Sequence, residues 1–259
     1  MQFTFIRNAT CLIEYAGIRI LVDPMLGEKG SQKPFPNSPG QELMNPLSEL
    51  PVPVEDLLNP DFVIVTHLHR DHFDKRAAEL LPKEVLLLAQ NESDAQKIRD
   101  WGFHKVDIIG NPELKLPKGI SLIRTEAQHS TGEMARLSGP ACGVILKHPG
   151  EKTLYITGDT VWYPNVSRIL HPSEPDVVAV SCGENMVYGG APLIMGKEGV
   201  KQVHLAVPEA VLIACHMESL NHWILSKKEL REYALENGFL DHLIIPDDGE
   251  TISLLREVS

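Results

Sequence analysis

The chain has 259 residues, 43% of them apolar and 23% charged, which excludes a disordered or fibrous protein and allows one sizeable core or two small ones. A formal net charge of −11 disfavours nucleic acid or any other polyanion as a partner. No apolar run is long enough to cross a bilayer, and residues 1–7 lack the basic lead and long apolar stretch of a signal peptide, so neither a membrane nor an export route is expected.

Residues 3–6, 11–15 and 18–22 read as three successive strands, the last two joined by a tight turn at Ala16-Gly17. The third runs into Asp23-Pro24, where an aspartate before proline can simply start a turn. The texture then changes. Eight of the chain's 19 prolines fall between Pro24 and Pro60, so residues 27–60 form neither a regular helix nor a central strand. This segment is either a lid, with Phe35 and Met44 as candidate contacts, or a surface loop with incidental apolar anchors.

A buried-type strand at 62–65 ends in Thr66-His67-Leu68-His69-Arg70-Asp71-His72. Roughly one chain in a thousand of this length and composition carries such a pattern by chance. Side chains alternate along extended backbone, which points His67, His69 and Asp71 one way, while His72 falls where the chain turns toward the next helix. Neutral imidazoles and carboxylates at the end of a rigid strand are good ligands for zinc, manganese or iron.

Beyond this cluster the pattern alternates between helix and strand. Helices are expected at 75–81 and 93–101, the second capped by Asn91-Glu92-Ser93 and closed by Gly102, with strands at 85–89, 106–109 and 120–125. This is an α/β order. No repeat or linker divides the chain, and one domain spanning 1–259 is expected. His129 follows the strand at 120–125, as an ordinary loop histidine would. Residues 141–147 and 153–157 form a hairpin around His148-Pro149-Gly150, with His148 exposed in the turn. The second of these strands leads to Gly158-Asp159-Thr160, which by itself reads as a helix cap.

Trp162 and Tyr163 follow, and either line a pocket or pack against the next helix. After a strand at 176–181, residues 189–196 are small and flexible and include Gly190, so backbone can approach a ligand closely there. They lack the order of a phosphate-binding loop, and no nucleotide cofactor is indicated. A helix at 200–207 carries His204 on its surface. A strand at 210–214 delivers His216, and His222 follows as a general acid, a phosphate or carboxylate binder, or a structural histidine. Ser226 caps a helix at 227–236 with Glu229 at capping-box spacing, and strands at 242–246 and 251–255 end the chain. Cys11, Cys142, Cys182 and Cys215 stand far apart in apolar runs. They read as reduced, buried thiols, and the expected compartment is a reducing cytoplasm.

The Thr-His-x-His-x-Asp-His stretch resembles the signature of the metallo-β-lactamase superfamily. Asp23, the His67–His72 set, His129, Asp159 and His216 match that pattern in chain order. The layout looks closest to the ascorbate-6-phosphate-lactonase-like branch of small metal-dependent hydrolases. The resemblance implies a four-layer αββα sandwich with two mixed sheets, and a dinuclear metal centre along one edge. It also implies that His67, His69 and His129 hold one divalent cation, that Asp71, His72 and His216 hold the other, that Asp159 bridges, and that Asp23 supports the ligands from behind. Zn2+ suits the imidazoles, while Mn2+ or Fe2+ suits the carboxylates. Relatives often carry Gly-His where this chain has Arg7-Asn8, so no histidine contact is expected from the first strand. His69, where oxygen-reducing diiron members commonly have glutamate, favours hydrolysis.

The implied activity is hydrolysis of a small ester, lactone or amide by metal-bound hydroxide, with Asp71, Asp159 and His222 as catalytic residues and Trp162, Tyr163 and Gly190 as candidate pocket residues. The alternatives are a phosphodiesterase of the same superfamily and a non-catalytic metal-binding relative. The expected partner is a small molecule, with a homo-oligomer left open.

Overall fold

The fold is that of a computed structural model, which describes residues 1–110 and 113–256. The first half lays down β1 (Gln2–Arg7), β2 (Thr10–Tyr15), β3 (Ile18–Val22), β4 (Phe62–Val65), α1 (Lys75–Leu80), β5 (Leu86–Ala89), α2 (Glu92–Asp100) and β6 (Lys105–Ile108). The second half follows with β7 (Leu114–Lys115), β8 (Ser121–Ala127), α3 (Gly132–Ser138), β9 (Ala141–Lys147), β10 (Leu154–Ile156), α4 (Pro164–Ser173), β11 (Val177–Ser181), α5 (Lys197–Ala206), β12 (Val211–Cys215), α6 (Lys227–Glu236) and β13 (Leu243–Ile244). The last strand, β14 (Thr251–Ser253), returns to the first sheet beside β1.

The strands make two seven-stranded sheets, in the orders β14-β1-β2-β3-β4-β5-β6 and β13-β12-β11-β10-β9-β8-β7. Each sheet is antiparallel on one side and parallel on the other. In the first, β1 to β3 pair antiparallel and β3 to β6 parallel. In the second, β7 to β10 pair antiparallel and β10 to β13 parallel. The two halves therefore share a plan that no repetition in the sequence betrays.

Side-chain alternation builds the layers. In β4, Phe62 and Ile64 join the central core while Val63 and Val65 face the opposite side with Ala77 of α1 and Ile98 of α2. In β11, Val177 and Ala179 join the same central core, and Val178 and Val180 pack with Val166 and Leu170 of α4, Val203 of α5 and Leu230 of α6. The result is an αββα sandwich, as expected. Ser226 and Glu229 form the expected capping box on α6.

Several local expectations need correction. Helix α3 has no counterpart among the elements expected from the sequence. It is short, without a side-chain cap, and its Leu137 is exposed. The strand expected at 242–246 shrinks to two residues behind a 3-10 turn at Leu240–His242. His148 is half-buried, not exposed, because its Nδ1 accepts the Gly150 N–H at 3.0 Å and its ring meets Tyr15 edge-on. His204 is half-buried and stacks on Phe239 with centroids 5.3 Å apart.

The proline-rich segment 27–60 is pinned rather than loose. It holds a 3-10 turn at Val54–Leu57 and a bridge between Gln32 and Asn45. The fully buried Arg7 guanidinium donates to the carbonyls of Ser48 at 2.8 Å, Met25 at 3.0 Å and Gly27. Asn221 ties the other end, accepting the Phe35 N–H at 2.8 Å and donating to Pro39 O at 2.7 Å. Met44 remains 45% exposed and does not line the cavity that Phe35 lines at the site described next.

Candidate metal centre

Strand ends from both sheets deliver one polar cluster. Asp23 follows β3, the His67–His72 turn follows β4, His129 follows β8, Asp159 follows β10 and His216 follows β12. Carboxyl ends of parallel strands are where α/β folds gather ligands. The local backbone is shaped for this task. Gly158 has φ +61°, and a Cβ there would come within 2.0 Å of the Cys142 carbonyl oxygen, so only glycine fits before Asp159. Asp23 (φ +45°) and His216 (φ +59°) occupy the left-handed region, at a cost of about 1–3 kcal/mol each. Backbone bonds hold both: Asp23 N–H to Ile64 O at 2.9 Å, and His216 N–H to Asn8 O at 2.7 Å.

The turn that follows β4 divides its ligands. His72 and Phe73 donate their N–H groups back to His69 O, which ends the extended run. Simple alternation would put Asp71 with His67 and His69. Instead His67, His69 and His129 bring one donor atom each within 4.8 Å of one another, and Asp71, His72 and His216 do the same. Asp159 stands between. Its Oδ2 lies 3.2 Å from His72 Nε2, 3.5 Å from His216 Nε2, 3.7 Å from His129 Nε2 and 4.0 Å from His67 Nε2. Asp71 Oδ2 is 3.2 Å from His216 Nε2 and 3.6 Å from His72 Nε2. All seven side chains expected from the sequence therefore meet.

Outer contacts aim these donors. Asp23 Oδ1 accepts the Thr66 N–H at 2.8 Å, and its Oδ2 accepts the Thr66 hydroxyl at 2.6 Å and His72 Nδ1–H at 2.8 Å. A carboxylate can only accept, so His72 keeps its proton on Nδ1 and presents the Nε2 lone pair. His129 Nδ1–H donates to Leu193 O at 2.8 Å with the same effect. Asn8, between β1 and β2, links two of the ligands. Its side-chain amide donates to Asp71 O at 2.9 Å and its own carbonyl accepts from His216, so it ties the two ends of one ligand set together.

The donor set fits divalent cations. His67 Nε2, Asp71 Oδ1 and Asp159 Oδ1 are buried without any hydrogen-bond partner among the described residues. Ring nitrogens also face each other at 3.2 Å (His72 and His216) and 3.3 Å (His69 and His129). Unpaired buried polar atoms are costly, and cations shared between such atoms would remove the cost. Imidazole and carboxylate match zinc, manganese or iron.

Without cations the charges settle on the side chains themselves. Burial pushes Asp159 up, but His72 and His216 outweigh it and hold its carboxyl well below the usual range. Burial likewise opposes ionisation of Asp71, and His72 and His216 reverse it. Burial lowers His72 and His216, yet Asp159 and its neighbouring carboxylates raise both, His216 to about 9. Burial pushes His67 well down, and drops His222 to about 4.

Beside the cluster lies a cavity of about 240 Å3. Phe35, Pro36, Met134, Leu137, Val187 and Leu193 form its apolar walls, and Asn185 and His222 add polar groups beyond the cluster itself. Among the described residues, no Lys or Arg lines it. His222 thus faces the cavity. Trp162 and Tyr163 do not: they are half-buried and pack on the core between the second sheet and its helices, with Tyr163 at the start of α4. Gly190 backs the wall, where a Cβ would press on Met134 and Val187 at 3.0 Å. The small-residue stretch expected at 189–196 is part of a longer loop that brings Asn185, Val187 and Leu193 to the site. The sequence signalled its flexibility but not those three residues.

This arrangement defines a metal-dependent hydrolase of the metallo-β-lactamase fold. Residues 18–219 match the family model described as the β-lactamase superfamily domain. The chain belongs to that superfamily, within its UPF0173 group. It is 43% identical to the UPF0173 protein YddR of Bacillus subtilis (strain 168), over 97% of this chain and 99% of the relative. An isothiocyanate hydrolase from Delia radicum gut bacteria is 41% identical with a TM-score of 0.95, over 99% of this chain and 100% of that one. A possible metal-dependent hydrolase from Veillonella parvula DSM 2008 is 36% identical with a TM-score of 0.94, over 98% and 99% of the two chains.

Proposed function

We propose that this chain is a dinuclear hydrolase of a small, uncharged carbon electrophile. The observation that carries this reading is the position of Asp159, whose Oδ2 is within 4.0 Å of histidines from both three-residue sets. His67, His69 and His129 would hold one ion, Asp71, His72 and His216 the other, and Asp159 both. Zn2+ is the first choice for so many imidazoles, with Mn2+ or Fe2+ as alternatives. Such ions, when bound, lower the pKa of water toward about 7 and polarise the bond under attack.

The chain's own side chains do the remaining work. Asp23 fixes the ring of His72, Leu193 O fixes that of His129, and the apolar wall excludes bulk water. The cavity is smaller than those that enclose drug-sized ligands, which sets a small substrate. Its lack of cationic side chains favours neutral esters, lactones and amides over phosphodiesters. The relative 41% identical acts on an isothiocyanate, so the carbon of an N=C=S group is the first electrophile to test. The four buried, free cysteines support a reducing cytoplasm as the compartment.

The test is metal analysis of protein purified without chelators, then turnover with that metal restored. Benzyl isothiocyanate, a lactone panel and bis-p-nitrophenyl phosphate are the substrates. About two metals per chain and turnover of a neutral substrate are expected, with both lost in His67→Ala and Asp159→Ala. Stoichiometric metal with turnover of the phosphodiester alone would overturn the substrate class. A folded protein that takes up no transition metal would overturn the whole reading.

A further inference from the structure

The cavity holds two buried polar side chains that the metal cluster does not use. Asn185 and His222 are 1% and 4% exposed. Asn185 Nδ2 lies 3.4 Å from His222 Nε2, while Asn185 Oδ1 and His222 Nδ1 have no partner among the described residues. The imidazole is braced by the Phe35 ring, centroid to centroid at 4.5 Å, and Phe35 is capped on its own account by the Arg70 guanidinium at 4.2 Å. The pair is fixed in place, yet half of its hydrogen-bonding capacity is unspent.

An amide and a neutral imidazole can share one hydrogen bond in two ways. If the amide donates to Nε2, the ring proton sits on Nδ1, leaving a free Nδ1–H donor and a free Oδ1 acceptor. If the amide is turned and Nε2–H donates to Oδ1, the free groups are an Nδ1 acceptor and an amide donor. In both settings one donor and one acceptor remain. Leaving them unpaired in a buried site is unfavourable, so the site selects a ligand able to use them.

We propose that Asn185 and His222 form a switchable polar clamp for the heteroatom next to the reacting carbon of a neutral, apolar-tailed substrate. The clamp donates to that atom in the substrate and accepts from it in the product. This deepens, and rests on, the reading of the cavity as the reaction site. Adding water across a C=N bond puts oxygen on carbon and a proton on nitrogen, with the π pair becoming the N–H bond. The nitrogen thereby changes from acceptor to donor, and the pair can follow by adopting its other setting. The uncharged walls suit the apolar remainder of the molecule. An anionic tail would meet no cationic side chain among these apolar walls.

The experiment uses the metal-loaded full chain and benzylurea, a neutral, apolar-tailed probe with both N–H donors and a carbonyl acceptor. Titration calorimetry reads its Kd. Asn185→Leu and His222→Phe should each weaken binding about tenfold or more, a neutral buried hydrogen bond's share of affinity. Metal content should stay that of the wild type. His222→Gln, which keeps one donor and one acceptor, should bind within a few-fold of wild type and serves if the phenylalanine variant fails to fold. Absence of binding to the wild type, or equal binding by fully metallated Asn185→Leu and His222→Phe, overturns the clamp. So does a His222→Gln variant as weak as the leucine variant at position 185. The readout is binding, so failure of the isothiocyanate reading would show separately, as absent turnover with the clamp's effect on Kd intact.

Discussion

His72 turns Nδ1 onto Asp23 Oδ2 at 2.8 Å and so faces Asp159 Oδ2 with Nε2 at 3.2 Å. One aspartate thus decides which nitrogen of a ligand is free, and the same carboxylate holds Thr66 at the end of β4 through two further bonds. Removing a carboxylate behind a metal-bound histidine commonly costs 10- to 100-fold in metal affinity. Asp23→Ala should therefore retain all seven donors yet release metal to a competing chelator at roughly 10- to 100-fold lower concentration. Saturating metal should restore part of its turnover. Unchanged affinity in a folded variant would show that Asp23 only shapes the turn.

Metal removal should change how stability depends on pH. In the metal-free protein, burial lowers His72 and His216, but Asp159 and its neighbours outweigh it and raise both, the latter to about 9, against an unfolded value near 6.5. A raised folded pKa contributes stability that is full below about 6.5 and fades as pH rises through the folded value. His67, His69 and His222 are shifted the other way by burial, and their effect lies below that window. Chelator-stripped protein should lose several degrees of Tm between pH 6.5 and 9. Metal-loaded protein should not, because cations then occupy the donors. Parallel Tm slopes for the two forms would contradict this account of the site's charge.

Much of this was legible in the sequence because ligands at strand ends leave a local trace. An apolar run that stops in His67, His69, Asp71 and His72 states both the strand and its chemistry; the alternating periodicities give an α/β order, and the αββα layering comes only with the family resemblance. Asp159 and His216 gained meaning only from order along the chain, since a glycine-aspartate after a strand also caps helices. The cavity wall was not legible. Asn185, Met134, Val187 and Leu193 reach it from loops and a short helix whose course is set by tertiary contacts, with no period to read. Trp162 and Tyr163 were conspicuous by type but, half-buried, pack against the core beside α4, which proximity in sequence to Asp159 cannot reveal.

Arg7 should prove a keystone of the loop over the site. Its guanidinium is fully buried and satisfies three carbonyls of the 25–48 segment, and burial lowers it to about 10 in spite of Asp74, Asp248 and Glu49. Arg7→Ala would leave those carbonyls unpaired. Hydrogen bonds to charged groups are worth about 1.5–3 kcal/mol each, and unpaired buried acceptors cost more, so a loss of at least ~3 kcal/mol is expected. For a chain of this size that is roughly 6–12 °C in Tm. Arg7→Lys should recover only a fraction, because an ammonium lacks the planar fork that reaches three carbonyls. Thermal unfolding of the two variants decides it, and a lysine variant as stable as wild type would refute the geometric requirement.

Phe35 offers the sharpest separation of substrate binding from metal chemistry. It lies in the cavity wall between Arg70 and His222, and its backbone N–H is held independently by Asn221 Oδ1 at 2.8 Å. Phe35→Ala should therefore keep the loop anchored and the metals bound while removing one wall and the brace on the imidazole. Losing a large apolar contact from a substrate pocket typically costs about 1–3 kcal/mol, or 10- to 200-fold in kcat/KM. KM should take most of the change for apolar-tailed substrates, and Phe35→Leu should recover part of it. Steady-state kinetics with metal content measured on the same samples tests this. A pure fall in kcat with unchanged KM would instead assign Phe35 to the reacting geometry rather than to the wall.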